Sequence, residues 1–70
     1  MKKTKPGVYQ HFRGNHYLVL GTGKHSETLE DYVIYQALYG KHELWLRPKK
    51  SFLEKIKVKG KKVSRFKKIK

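Results

Sequence analysis

The stretch VYQHFRGNHYLVL, residues 8–20, decides the expected fold. Its two halves, residues 8–12 and 16–20, are rich in the aromatic and β-branched side chains that favour strands. Between them Arg13 and Asn15 flank Gly14, and a glycine can adopt the positive φ that a tight turn needs. The stretch therefore predicts a β-hairpin.

Short strands separated by turn residues continue to the end of the chain. Residues 51–53 read as a tight turn that brings Phe52 onto the core. Further strands are predicted over residues 31–39, 43–47, 54–58 and 63–69. The first of these also fits a helical period that stops at Gly40, but its β-branched and aromatic content favours a strand. We predict an all-β domain of five or six short antiparallel strands, arranged as a small barrel or sandwich.

Size and composition limit the alternatives. Seventy residues make one domain at most, which we place at residues 7–70 behind a disordered basic N-terminus, residues 1–6. The absence of cysteine excludes disulfides and thiolate zinc sites, so nine aromatic residues must supply much of the core. No apolar run resembles a signal peptide or a membrane span. We therefore predict a cytoplasmic protein with no membrane partner.

Basic charge is concentrated near the C-terminus. The net charge is +13, and residues 49–70 hold eleven basic residues and one acid, Glu54. This excess predicts a polyanionic partner, RNA or DNA, contacted at its backbone because lysine outnumbers arginine. The candidate nucleic-acid-binding residues are Lys49, Lys50, Lys55, Lys57, Lys59, Lys61, Lys62, Arg65, Lys67 and Lys68. The alternative is that the lysines keep the protein soluble and protect an edge strand from pairing.

A polar loop and an aromatic segment form a second candidate site. Its residues are His25, Glu27, Glu30, Tyr39, Trp45 and Arg47. Imidazole and carboxylates suit a small ligand or acid–base chemistry, whereas an arginine beside aromatic rings suits a peptide, a phosphate or a carboxylate. A structural clasp is equally open, with Tyr39 and Trp45 in the core and Arg47 paired to a loop glutamate.

Known catalytic and metal-binding signatures are missing from the chain. It has no nucleophile elbow, no phosphate-cradling glycine loop and no recognised metal-ligand spacing. We therefore predict no catalytic residue, no metal and no cofactor.

Several motifs together resemble a family of small bacterial proteins known only as a domain of unknown function. They are GVYQHFRG at residues 7–14, HSETLE at 25–30, YQALYG at 35–40, WLRP at 45–48, an aromatic at Phe52 and the pair Arg65-Phe66. The resemblance implies an SH3-like barrel and no particular activity, and the lysine-rich tail is heavier than the family pattern asks for. Our leading hypothesis is a binding module that contacts nucleic acid through its lysine-rich C-terminal hairpin. A protein- or peptide-binding module and a small-ligand site are the alternatives.

Overall fold

The computed structural model describes residues 5–70. The predicted disordered N-terminus, residues 1–6, lies mostly outside the described residues. Of its residues that are described, Lys5 accepts a hydrogen bond of 2.8 Å at its carbonyl from the Tyr9 hydroxyl. The elements are β1 Gly7–His11, β2 His16–Lys24, β3 Asp31–Ala37, β4 Leu44–Pro48, α1 Lys49–Phe52, β5 Lys55–Val58, β6 Lys61–Ser64 and β7 Phe66–Lys68. The all-β prediction is confirmed, with seven strands rather than five or six. The predicted last strand is divided at Arg65 into β6 and β7.

Five strands form one antiparallel sheet in the order β4-β3-β2-β1-β7, and β5 pairs with β6 in a separate two-stranded sheet. The last strand thus returns to the first. Within residues 5–70 no strand pairing joins the edge strands β4 and β7, so closure into an SH3-like barrel remains a prediction. The longest helix in this range is the four-residue α1, which is not long enough to cross a membrane.

One face of the large sheet carries the core. Register places Tyr9 opposite Tyr17, and Tyr35 opposite both Val19 and Trp45, so these side chains point to the same side. Phe52 covers them and is 1% exposed, so its predicted place on the core is confirmed, but it ends the short helix α1 and not the predicted tight turn. The buried cluster consists of Tyr9, Val19, Val33, Tyr35, Phe52 and Phe66.

Candidate functional site

Residues 55–64 form a lysine hairpin, made of β5, β6 and the turn between them. Ile56 lies opposite Val63 on the half-buried face. Lys57 lies opposite Lys62 on the other face, and both are exposed. Lys55 is two residues from Lys57 along β5, so alternation places it on the same outer face. The hairpin therefore presents Lys55, Lys57 and Lys62 to solvent on one side. Ile56, Val58 and Val63 lie on the other side, where Lys61 is opposite Val58 but is itself exposed.

The tip of the lysine hairpin is a two-residue turn. Lys59 has φ of 51° and Gly60 has φ of 81°, so both central residues are in the left-handed region. Two positive φ angles define the type I′ turn, whose twist matches that of paired strands. Glycine adopts this conformation freely, whereas lysine is strained in it. The turn thus places the positive charge of Lys59 at the tip of the hairpin, in addition to the lysines of β5 and β6.

An ion pair holds the base of the lysine hairpin. The Arg65 Nη2 atom lies 2.8 Å from Glu54 Oε1, and the Arg65 N–H donates to the Glu54 carbonyl over 3.1 Å. The Arg65 side chain is only 22% exposed, and its buried Nε has no hydrogen-bond partner among the described residues. Arg65 is therefore an anchor of the hairpin, and the one acid of residues 49–70 is already neutralised.

The remaining predicted nucleic-acid contacts lie on other elements. Lys67 and Lys68 belong to the edge strand β7, opposite Gln10 and Tyr9. Lys49 and Lys50 begin α1. Lys49 follows Pro48, which lies opposite Tyr32 near the start of β3, so Lys49 is close to that end of the large sheet. The structure thus concentrates five of the ten predicted residues in the lysine hairpin.

An open groove separates the lysine hairpin from β1 and β7. It has a volume of about 620 Å³, and its lining includes Gln10, His11, Phe12, Val58, Val63 and Lys67. Sequence reasoning missed this groove because its two sides lie about fifty residues apart and meet only when β7 returns to β1. It gives the hairpin a neighbouring surface that mixes apolar, aromatic and cationic side chains.

A second concavity, which we call the aromatic pocket, lies on the core side of the sheet. It has a volume of about 220 Å³ and is lined by Tyr17, Tyr35, Tyr39, Trp45 and Arg47. Tyr39 is 44% exposed and Trp45 is 47% exposed, so the expectation that these two rings belong to the core is wrong. They form walls that solvent reaches.

Arg47 is fixed at this pocket by neutral partners. Its Nε donates to the Tyr35 hydroxyl over 3.3 Å, and its Nη1 donates to Ser51 Oγ over 3.1 Å. Its Cζ lies 5.7 Å from the centre of the Phe66 ring, within the range of a cation–π contact. The structural clasp was predicted to pair Arg47 with Glu27 or Glu30. That prediction is wrong, because Arg47 is bound to Tyr35 and Ser51 instead.

Two tyrosine hydroxyls meet at the rim of the aromatic pocket. The hydroxyl oxygens of Tyr17 and Tyr39 are 2.7 Å apart. Burial, reinforced by the hydrogen bond with Tyr39, raises the pKa of Tyr17 to about 12. The Tyr17 hydroxyl therefore stays neutral at physiological pH, and both hydroxyls can exchange hydrogen bonds with a ligand.

His11 connects the groove with the aromatic pocket. Its ring centre lies 4.9 Å from that of Phe66 and 6.4 Å from that of Tyr17. Burial lowers the pKa of His11, and the positive charges of Arg47, Arg65 and Arg13 lower it further. The imidazole is held neutral at a point where several cations converge.

The loop that carries His25, Glu27 and Glu30 is a separate, self-contained turn. His25 Nδ1 accepts the backbone N–H groups of Glu27 and Thr28 at 3.1 and 3.2 Å. The N–H of His25 donates to the Glu30 carbonyl over 2.8 Å, and Thr28 Oγ1 accepts the N–H of Glu30 at 3.2 Å. The carboxylates of Glu27 and Glu30 are exposed. The predicted six-residue site is therefore divided between this loop and the aromatic pocket.

The histidines do not assemble a metal site in the part of the chain that the structure describes. Register places Gln10, not His11, opposite His16. Among residues 5–70 no group of three histidine, aspartate or glutamate side chains is positioned to hold a metal ion.

Fold and surface together define a small antiparallel domain with a cationic hairpin and an aromatic pocket. Residues 7–68 match the family described as "Protein of unknown function (DUF1653)", so the chain belongs to that family. The expected membership of a family of unknown function is thereby confirmed. The crystal structure of a protein of this family from Bordetella bronchiseptica is similar, with a TM-score of 0.86 and 32% sequence identity over 94% of this chain and 87% of that one. Among curated proteins, none matches the chain.

Proposed function

We propose that this domain is a non-catalytic module that binds RNA or DNA through the lysine hairpin. The observation that carries the proposal is Lys57 directly opposite Lys62 on an exposed strand face. Like charges in this position destabilise a strand pair. The nearest acid in the sequence, Glu54, is committed to Arg65. Phosphate groups would relieve the repulsion, and their bound counterions would be released.

The groove beside the hairpin supports the same function. Lys67 lies in its lining, across from the hairpin residues Val58 and Val63. This groove lies on the apolar side of the hairpin, so a backbone that passes from the outer face around the edge of the hairpin into the groove would meet further positive charge at Lys67. Contacts of this kind position a nucleic acid without reading its sequence, so we expect little sequence preference. A cytoplasmic location is part of the proposal, since nucleic acid is available there.

The test is the salt dependence of binding to a labelled mixed-sequence RNA and to the matching DNA, measured by fluorescence anisotropy. Five phosphate contacts on a single strand give a log–log slope of about −3.5, so affinity should fall about 100-fold between roughly 50 and 200 mM salt. The double variant Lys57→Gln/Lys62→Gln should reduce the magnitude of this slope by about one to two.

The matched control is Lys49→Gln/Lys50→Gln, which removes the same charge from α1. It should change affinity far less, because Lys49 and Lys50 lie in α1, next to the start of β3, and not in the hairpin. Equal losses in both double variants would show that only net charge matters. No binding even at low salt would assign the lysines to solubility and end the proposal.

A further inference from the structure

The walls of the aromatic pocket expose ring surface that the fold does not use. Trp45 and Tyr39 are each nearly half exposed, whereas Tyr35, which is opposite Trp45 in the sheet, is 5% exposed. Trp45 also stands on the edge strand β4, where nothing in residues 5–70 pairs with its outer side. Exposed aromatic faces bind flat partners by stacking, and every nucleobase offers such a face.

The pocket also contains the guanidinium group of Arg47, which is positioned to bind an anion. Two of the three guanidinium nitrogens of Arg47 are bound to neutral oxygens, and the third, Nη2, makes no hydrogen bond with a described residue. No carboxylate in residues 5–70 forms an ion pair with Arg47. An arginine that is already immobilised loses little rotamer freedom when it binds a phosphate.

We propose that the aromatic pocket binds one nucleotide unit, with the base stacked on Trp45 or Tyr39 and the phosphate paired with Arg47. The inference rests on the proposed nucleic-acid function and adds a preference for single strands, because bases inside a duplex are not free to stack on a protein. His11 gives the two sites continuity, since it contacts Tyr17 of the pocket and lines the groove beside the lysine hairpin.

The chain contains a direct probe of this pocket, since Trp45 is its single tryptophan. We would follow the fluorescence of Trp45 while adding uridine 5′-monophosphate, uridine, inorganic phosphate, a single-stranded oligouridylate or an RNA duplex. The mononucleotide should quench the fluorescence at concentrations at least about tenfold lower than uridine or phosphate alone, since each lacks one of the two contacts. The oligonucleotide should bind on the order of 100-fold more tightly than the mononucleotide, because the hairpin adds contacts. A site built for free nucleotides would show no such gain.

Two variants assign the contacts. Tyr39→Leu removes one exposed wall and keeps the probe, and it should weaken mononucleotide binding on the order of tenfold. Arg47→Lys keeps the charge and loses the planar fork, and it should remove most of the advantage of the mononucleotide over uridine. The control is Leu44→Ala, which alters an exposed residue next to Trp45 on the opposite sheet face and should leave quenching unchanged. If Arg47→Lys fails to fold, Trp45→Leu is used in its place. This variant removes the proposed stacking ring, and because it also removes the fluorescent probe, binding of the mononucleotide is followed by NMR chemical shifts.

The outcomes separate this inference from the proposed function. Lys57→Gln/Lys62→Gln should weaken oligouridylate binding and leave quenching by the mononucleotide intact. If salt-dependent RNA binding persists while no nucleotide quenches Trp45, the pocket proposal fails and the hairpin proposal stands. If duplex and single strand bind equally well, or if proline-rich peptides quench where nucleotides do not, the pocket serves another ligand and the proposal is overturned.

Discussion

The rings of Phe52 and Phe66 stack face to face, with their centres 4.1 Å apart and their planes 5° from parallel. Phe52 ends α1 and Phe66 begins β7, so the stack joins the two points between which the lysine hairpin leaves the core. Nearer the surface, the Glu54–Arg65 ion pair joins the same two points of the chain a second time. The position of the cationic hairpin is therefore set by core packing and not by its own two strands, which are too short to be stable alone.

Truncation of either stacked ring should be costly. Phe66→Ala is expected to lower the free energy of unfolding by about 3–5 kcal/mol, as for other buried phenylalanines. A domain of this size has roughly 4–10 kcal/mol in total, so much of the protein would unfold. Phe66→Leu should cost less and keep it folded. Urea denaturation checks both, with Phe12→Ala as control, since Phe12 is 37% exposed and should change stability little. Similar losses at Phe12 and Phe66 would contradict the assigned core.

Gly7 is expected to tolerate no side chain. Its φ is +143°, and a Cβ there would collide with the backbone oxygen of Lys70, which accepts the N–H of Val8 at 3.1 Å. Gly7→Ala should therefore destabilise the domain by more than about 1 kcal/mol and detach the end of the chain from β1. Gly14→Ala is the matched control, since its φ of +107° brings strain without a collision. Thermal unfolding should rank Gly7→Ala as the more damaging; the reverse order would show that the Lys70 contact is unimportant.

Local pattern was enough to predict the all-β class and most of the strands, because it depends on neighbours in sequence. Alternation and turn glycines placed the first hairpin, and the place of Phe52 on the core followed from reading residues 51–53 as a tight turn after Pro48. The division at Arg65 was not predictable from pattern. Its cause is the ion pair and backbone hydrogen bond with Glu54, eleven residues earlier, which interrupt a stretch that alternates like one strand.

The candidate site was predicted only in part, because the strand topology decides which side chains come into contact. The structure brings Tyr39, Trp45 and Arg47 of the predicted set together in one pocket. Trp45 and Arg47 are two residues apart on β4 and therefore share a face of the sheet. The loop glutamates were wrongly assigned to Arg47, since charge complementarity in the sequence does not reveal that Tyr35 and Ser51 are closer. The groove and the role of His11 required the pairing of β1 with β7, which no local pattern encodes.

Substitutions at the turn of the lysine hairpin can distinguish the effect of the Lys59 charge from the effect of its backbone conformation. Lys59→Asn should raise stability by about 0.5–1 kcal/mol, because asparagine tolerates the φ of 51° that Lys59 adopts. It should also reduce the magnitude of the salt slope for RNA by no more than about one. Lys61→Asn removes the same charge on a strand and should give no gain in stability. Urea denaturation and anisotropy test the pair, and equal stability in both variants would show that the turn is not strained.

His11 should make the stability of the domain depend on pH. Burial, together with Arg47, Arg65 and Arg13, holds the pKa of His11 below its usual value. The unfolded chain, with a histidine pKa of about 6.5, then binds more protons than the folded one between the two values. Stability should accordingly be constant above about pH 7, fall as the solution is acidified through that window, and level off below the folded pKa. The Nδ1 atom of His11, which accepts the N–H of Arg13 at 3.2 Å, would lose this bond on protonation.

His11→Gln should flatten this dependence, and His16→Gln is the control on an exposed strand position. NMR titration of the imidazole gives the folded pKa directly, and a value at or above 6.5 would refute the assignment. The same titration tests the binding proposals. Phosphates placed between the hairpin and the aromatic pocket would oppose the arginine charges that now lower the pKa of His11, so RNA should raise it. An unchanged pKa in the presence of saturating RNA would mean that the strand passes the hairpin without reaching His11, and the two sites would then not form one surface.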